Sequence, residues 1–471
     1  MNGILNALIA LAPISFLTLT ALVVVVVEAA AERGERFSFW IALVGAAVAA
    51  ATSVCSISNG GTFFEGMINA GGYGKYFALL FSIVTLLVIA LSRSYLGRQN
   101  ILHGEYYSLV LFATIGMMLM AAAADLVILF LGLEVMSISL YVLAGFMRKN
   151  TRSNESAMKY FLLGAFATGF LLYGIALIYG AAGTTNLDNV MMMLPVLSTS
   201  FVFWTGAGLL IVGLSFKIAA VPFHMWVPDV YEGAPTTVTA FMSTAAKAAA
   251  FAAIIVAFGI IHDTRISTAF AVLAAASMII GNVIAISQTS VKRMLAYSSI
   301  AHAGYILAGV AAGSLFGTEG VIFYVSVYSF MNIGAFGILS LIEGPEGKNL
   351  SFEESAGLAA KKPLLASLMA IFMFSLTGIP PFVGFFAKYY VFAAAVGAGM
   401  TWLAVVGVLT SLVSAYYYLR LVVVMYFREP GASSYDETPT FAFSAVVVAA
   451  AATIVFGFAP SLLLSVMHMF V

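Results

Sequence analysis

Four ionisable side chains stand in segments that are otherwise apolar. Lys217 lies in LSFKIAAVPF, Lys247 in MSTAAKAAAF, Lys388 in GFFAKYYVF, and Glu134 in LFLGLEVMSISLY. A charge in hydrocarbon is costly, and such residues usually mark the path of an ion or a proton. A lysine buried there is strained as a cation, and a carboxylate close by makes the cation tolerable. A Glu–Lys pair is therefore poised between two protonation states, and drawing the partners apart turns the lysine into a proton donor. Glu134 and Lys217, passing a proton to Lys247, fit that chemistry. His224 and His302 titrate near physiological pH in water and suit intermediate positions. His224 equally suits a cap on a broken helix, and His302 a bond to a neighbouring helix. A static Glu134–Lys217 ion pair is the bland alternative, although buried pairs stabilise poorly.

Between Lys217 and Lys247 runs Pro222, His224, Pro228, Asp229, Glu232, Gly233 and Pro235. No continuous membrane helix accommodates that run, and backbone groups freed inside a membrane need protein or water as partners. Asp229 and Glu232 read as loop or cap residues. Asp125, at the turn between two predicted spans, is expected to be solvated.

The elements that must hold these residues follow from composition. Of 471 residues, 62% are hydrophobic and 8% charged, against about 25% charged in a soluble domain. The chain is an all-α, multi-pass membrane protein with no room for a large water-soluble domain. Its net charge of zero gives no footprint for nucleic acid. Cys55 is the sole cysteine, which excludes an internal disulfide or a cysteine-ligated cluster, and the five histidines are scattered without metal spacing. Neither a P-loop nor a G-x-G-x-x-G occurs, so no nucleotide or redox cofactor is expected in this chain. Val23–Val27 leading into Glu28 mimic a signal peptide, but no Lys or Arg precedes Arg33, and the segment reads as the first membrane helix.

At about 20 apolar residues per span, about fourteen helices are predicted. The first covers 4–27, the fifth 125–146, the seventh 201–221, the eighth 236–261 and the twelfth 364–397. The twelfth is too long for one straight span and carries Gly378-Ile379-Pro380-Pro381 at its middle, so it is predicted to be broken, like the seventh. Loops after odd-numbered spans hold Arg33, Arg36, Arg93, Arg98, Arg148, Lys149, Arg152, Lys159, Lys292, Arg293, Lys348, Lys361, Lys362 and Arg428, while the other side holds Lys75 and Arg265. That bias places both termini on the non-cytoplasmic side. Arg420, near the cytoplasmic end of the thirteenth span, is expected to snorkel.

Spans 4–8 and 9–13 each contain one broken helix in fourth position with a lysine beside the break. Their opposite starting directions make them inverted five-helix repeats, an arrangement that puts ion sites at discontinuous helices near the membrane midplane. The expected division is 1–105 for three N-terminal helices, 106–261 and 262–428 for the repeats, and 429–471 for a last helix.

The stretch KIAAVPFHMWVPDVYEGAPTTVTAFMSTAAKAAAF resembles the antiporter-like membrane subunits of respiratory complex I, in particular the subunit N family, whose mitochondrial counterpart is subunit 2. KRMLAYSSIAHAGY and SLTGIPPFVGFFAKYYVF extend the resemblance over essentially the whole chain. Sister subunits L and M and the Mrp cation/proton antiporters more often read Leu-Pro-Asp-Ala and Pro-Thr-Pro-Val, with His in the eighth helix, where this sequence has VPDVYEGAPTTVTA and Lys247. Subunit M would carry Glu at the position of Lys388, and subunit L would continue into a long lateral helix beyond the point where this sequence ends, at Val471.

The resemblance implies a proton-translocating module of a bacterial NADH:quinone oxidoreductase in the cell inner membrane. Glu134 and Lys217 would form the pair on helices 5 and 7, Lys247 the central relay and Lys388 the exit-side carrier. NADH, FMN, iron–sulfur clusters and quinone would be handled by other subunits, and subunits K and M would be the neighbours. The alternatives are an Mrp-type cation/proton antiporter subunit and a passive membrane scaffold.

Overall fold

The computed structural model describes residues 2–31, 34–259, 263–344, 350–430 and 438–470. Arg33 and Lys348 of the charge count, and Val471, lie outside the described residues. The N-terminal helices are α1 (Asn2–Ala10), α2 (Ala12–Ala30), α3 (Gly34–Cys55) and α4 (Gly72–Arg98). Between α3 and α4 a small hairpin pairs β1 (Thr62–Phe63) with β2 (Ile68–Asn69) in antiparallel register. The first repeat comprises α5 (Glu105–Ala122), α6 (Leu126–Ala144), α7 (Thr151–Ala182), the short α8 (Leu187–Met192) and α9 (Leu194–Leu197), α10 (Phe201–Ile218), α11 (Val227–Gly233), and a last span made of α12 (Thr236–Phe241), a π-helical turn (Met242–Ala246) and α13 (Lys247–Phe258). The second comprises α14 (Thr264–Ile286), α15 (Val291–Ala311), α16 (Leu315–Ile342), the short α17 (Leu358–Lys361), α18 (Pro363–Thr377), α19 (Val383–Gly397) and α20 (Thr401–Phe427). After it come α21 (Thr440–Phe458) and α22 (Pro460–His468).

Among the described residues, 13 helices are long and apolar enough to cross a membrane, and α18 with α19 supplies one more crossing in two halves. That matches the fourteen spans expected from length and hydropathy. Two expected helices are each divided further: the first at Leu11, ahead of Pro13, and the last at Ala459, ahead of Pro460. Proline suits the first turn of a helix but not its interior, so each new segment begins there.

The two repeats share a pattern of neighbours. Helix α5 packs on α6 as α14 packs on α15, and α13 returns to α5 as α20 returns to α14. Small residues make both first pairs close: a methyl on Gly116 would meet the Gly132 carbonyl at 2.5 Å, and one on Gly281 would meet the Ala301 nitrogen at 2.6 Å. Because lipid tails are as apolar as leucine, helices in a bilayer associate through such close contact and through hydrogen bonds rather than by sequestering apolar surface. Only 22% and 33% of the apolar windows of α2 and α7 are buried, which suits a lipid-facing rim, whereas that of α16 is wholly buried. Helix α16 is the central pillar, touching α12, α13, α15, α18 and α19.

Several polar residues depart from the loop positions expected of them. Asp125 is not solvated: it is 4% exposed, with Oδ1 accepting from the Val127 N–H at 2.8 Å and Oδ2 from the Thr185 hydroxyl at 2.8 Å. It caps α6, where the first turn leaves amide donors free. Lys75 and Lys292, assigned to loops, are also buried. Each donates to backbone carbonyls, Lys75 to Asn59 at 2.8 Å and Lys292 to Ala234 at 2.6 Å. Arg420 reaches the Gln288 carbonyl at 3.3 Å and stacks over Phe352, in keeping with a structural role.

Candidate functional site

Glu134, Ser137 and Tyr141 lie at i, i+3 and i+7 on α6, hence on one face. Lys217, in the last turn of α10, donates to Ser137 Oγ at 2.7 Å and to the Tyr141 hydroxyl at 3.1 Å. The Glu134 carboxylate instead accepts from Thr168 of α7 at 2.9 Å. Glu134 and Lys217 are thus within charge range but do not close to an ion pair. The rings of Tyr141, Phe216 and Tyr160 surround the ammonium at 5.3, 5.7 and 6.0 Å, a cation–π environment.

The break after Lys217 is built into its sequence. Ala219 takes a left-handed conformation (φ 62°) and ends α10, and Pro222 cannot donate to a continuing helix. Protein groups satisfy the released backbone: Trp226 Nε1 donates to the Phe216 carbonyl at 3.1 Å, and the Val221 N–H donates to Ser277 of α14 at 2.9 Å. The second bond ties the break of one repeat to the other repeat. Asp229 and Glu232 serve as anchors. Arg293 pairs with Asp229 at 2.9 Å and with Glu232 at 2.7 Å, while Lys159 pairs with Asp229 at 2.8 Å, so α11 is clamped to α15 and α7.

Lys247 is 2% exposed and follows directly on the π-helical turn. Its ammonium donates to the Ser299 carbonyl at 2.6 Å and also to the Ser299 hydroxyl. One turn farther along α15, His302 contacts the Tyr324 hydroxyl through Nδ1 (2.8 Å) and the Tyr418 hydroxyl through Nε2 (3.1 Å). Tyr418 in turn bonds Ser298, and the Tyr328 ring lies against the imidazole at 5.0 Å. His302 lies within charge range of both Lys388 and Lys247.

Lys388, 6% exposed, sits across the break of the twelfth span. It donates to the carbonyls of Thr377 (2.7 Å) and Leu376 (3.2 Å), which end α18, and to Ser411 Oγ (2.7 Å). Its ammonium also lies 4.9 Å from the Tyr305 ring. The orphan carbonyls of a broken helix are a ready-made cation site.

The structure therefore brings Glu134 near Lys217, and sets His302 within charge range of both Lys247 and Lys388. It does not bring His224 in: that residue is half-buried, its Nδ1 has no hydrogen-bond partner, and no hydrogen bond joins it to either lysine among the described residues. Sequence reasoning missed Thr168, Ser299, the π-helical turn and the tyrosines Tyr305, Tyr324, Tyr328 and Tyr418. The tyrosines do leave a signal, since Tyr324 and Tyr328 are one turn apart in an otherwise apolar helix. Among the described residues no three His, Cys, Asp or Glu side chains gather as a metal site would require.

The family model of the transmembrane domain of NADH:quinone oxidoreductases and Mrp antiporters matches residues 123–414. NADH-quinone oxidoreductase subunit N 1 of Chloroherpeton thalassium is 49% identical over 94% of both chains, and subunit N of Salinibacter ruber is 50% identical over 83% of this chain and 80% of its own. A chain of respiratory complex I from Thermus thermophilus superposes with a TM-score of 0.85 at 36% identity, covering 96% of this chain and 98% of that one. A chain of the Mrp complex from Dietzia superposes slightly better, at 0.88 over 99% of this chain and 96% of that one, but at 23% identity. Backbone likeness does not separate the two groups; sequence identity does. The chain belongs to the subunit N family of the NADH-quinone oxidoreductases, and is a membrane subunit of an oxidoreductase complex.

Proposed function

We propose that the chain is a proton-translocating module in the membrane arm of NADH:quinone oxidoreductase, and that Glu134, Lys217, Lys247, His302 and Lys388 carry the proton. One observation carries the reading: three lysines are buried in apolar helices, each held by hydroxyls or carbonyls and none within ion-pair distance of a carboxylate among the described residues. A static scaffold would pair such charges, because an unpaired buried charge destabilises a fold. Neutral acceptors that also donate, such as hydroxyls and imidazole, tolerate either protonation state of their neighbour.

Approach of Glu134 to Lys217 holds a proton on the lysine, and withdrawal releases it toward Lys247. From Lys247, held by Ser299, the Tyr418–His302 contact one turn along α15 leads toward Lys388, the exit-side carrier. His224 has no place in that line and serves the break of the seventh span. The division at 105/106, 261/262 and 428/429 separates the N-terminal helices, two repeats and a closing helix. The basic loops face the cytoplasm, with both termini on the far side of a bacterial inner membrane. Partners are other subunits of the complex, K and M in particular, and those other subunits hold FMN, iron–sulfur clusters, NADH and quinone. The 36% identity to the Thermus complex I chain favours this reading over Mrp-type antiport.

Replacing Lys217 or Glu134 by Ala in the assembled complex tests the pair. The expected result is a severalfold loss of NADH-driven proton transport with normal subunit content, and unchanged transport would contradict the assignment.

A further inference from the structure

Tyr305 of α15 is buried and turns two different ends to its surroundings. Its ring lies 4.9 Å from the Lys388 ammonium and meets the His302 ring at right angles, 5.5 Å between centroids. Its hydroxyl instead meets Asn282 of α14, whose Nδ2 donates to it at 2.9 Å. The direction of that bond is set by a third group. The same Nδ2 donates to the Met278 carbonyl at 2.7 Å, and a carbonyl can only accept, so this end of the amide is the nitrogen. The Tyr305 oxygen must therefore accept, and its own proton is left for Thr410, which lies within hydrogen-bonding reach. Thr410 in turn spends its proton on the Val406 carbonyl at 2.8 Å.

The other end of the same amide holds a second tyrosine. Asn282 Oδ1 accepts from the Tyr417 hydroxyl of α20 at 2.8 Å, and the Tyr417 ring lies 4.5 Å from that of Tyr418, which bonds His302. One wholly buried amide thus fixes the tyrosine that faces Lys388 and the neighbour of the tyrosine that holds His302. The helices around it have little room to shift. Gly281 and Gly304 adjoin Asn282 and Tyr305 in sequence, and methyls there would lie 2.6 Å from the Ala301 nitrogen and 2.7 Å from the Ala274 carbonyl. A buried polar network contributes little net stability over an apolar packing of the same shape, so its presence beside a carrier lysine calls for another reason.

We infer that Asn282 is a positioning residue for Lys388: it locks the Tyr305 hydroxyl away from the lysine, so that the tyrosine offers the ammonium its ring face alone. This rests on the relay reading and adds to it what keeps the proton on Lys388 releasable. A ring face attracts a cation but has no proton to give, so it walls one side of the ammonium without opening a path through itself. A freed hydroxyl would act differently. Its oxygen could take a charge-assisted hydrogen bond from the ammonium and hold the proton in place. Its own proton would then be free to leave toward α14, a side exit that bypasses His302.

The test uses the whole complex in membrane vesicles, with Tyr305→Phe, Tyr305→Leu, Asn282→Leu, the double variant Asn282→Leu with Tyr305→Phe and, as reference, Lys388→Ala. Subunit content, NADH oxidation and NADH-driven proton transport over a range of pH are measured for each. The lock predicts near-normal transport in Tyr305→Phe, which keeps the ring face. It predicts a severalfold loss with an altered pH profile, at normal subunit content, in Tyr305→Leu and in Asn282→Leu. The double variant should recover toward Tyr305→Phe, because no hydroxyl remains to be misdirected. A loss in Tyr305→Phe as deep as in Tyr305→Leu would overturn the proposal by making the hydroxyl itself the carrier. A double variant no better than Asn282→Leu would overturn it by reducing Asn282 to packing. Loss in Lys388→Ala alone would overturn the lock and leave the relay standing, and normal transport in Lys388→Ala would overturn both. Should Asn282→Leu fail to assemble, Asn282→Thr takes its place in both variants: its single proton goes to the Met278 carbonyl, which leaves Tyr305 without its donor.

Discussion

At the scale of residues, the lysines differ in what holds them. Lys217 leans on two hydroxyls of α6, Lys247 on one serine of α15, and Lys388 on the carbonyl end of α18 plus Ser411. Only Lys388 shares in capping a helix, so its removal leaves carbonyls unpaired as well as removing a carrier. Lys388→Met is therefore expected to lower stability by about 1–3 kcal/mol in addition to abolishing transport, measured as a fall in the thermal midpoint of the purified complex. Thr168→Val is a milder change. It frees the Glu134 carboxylate from its bond to α7 without touching Lys217, and the account predicts normal assembly with an altered pH dependence of proton transport; an unchanged profile would mean that Thr168 does not position Glu134. The ionisable residues themselves were legible in the sequence because charge in an apolar run is rare. Their hydroxyl partners were not, since serine and threonine are ordinary in membrane helices and only the packing reveals which of them face a lysine.

Elements position these side chains through interruptions of helix geometry. At the seventh span Ala219 and Pro222 end α10, and Ser277 accepts the Val221 N–H that the break sets free. Ser277→Ala should cost about 1–3 kcal/mol by leaving that donor unpaired, and an unaltered melting profile would sink the claim that the bond ties the repeats together. At the twelfth span Gly378 has φ +87°, and a methyl there would lie 3.0 Å from Lys388 Cδ. Gly378→Ala is thus expected to reduce transport by displacing Lys388, even though it adds only one carbon. Both breaks were legible, because proline and glycine inside an apolar run have a direct geometric consequence. The π-helical turn before Lys247 was not: MSTAA has no breaker, and the turn arises where α12 and α13 pack around α16. Burial was equally hidden. Helices that face lipid and helices that face protein are apolar alike, so Lys292 read as a loop residue and proved to be enclosed.

On the scale of the whole molecule, the two repeats meet at α16 and at the contacts from Ser277 to Val221. The orientation proposed for them makes a direct prediction: in a Cys55→Ser background, a cysteine at Lys149 is expected to react with a membrane-impermeant thiol reagent from the cytoplasmic side only, and one at Asn189 from the opposite side only. Both positions are exposed, Lys149 on the loop after an odd-numbered span and Asn189 on the short helix α8 after an even-numbered one. The central claim is that Lys247 gives up and regains a proton, and Lys247→Arg addresses it most directly, because arginine keeps the charge but does not release the proton at any working pH. NADH-driven proton transport by the assembled Lys247→Arg complex should be lost while subunit content stays normal, and transport at the unaltered rate would show that position 247 needs only a fixed positive charge.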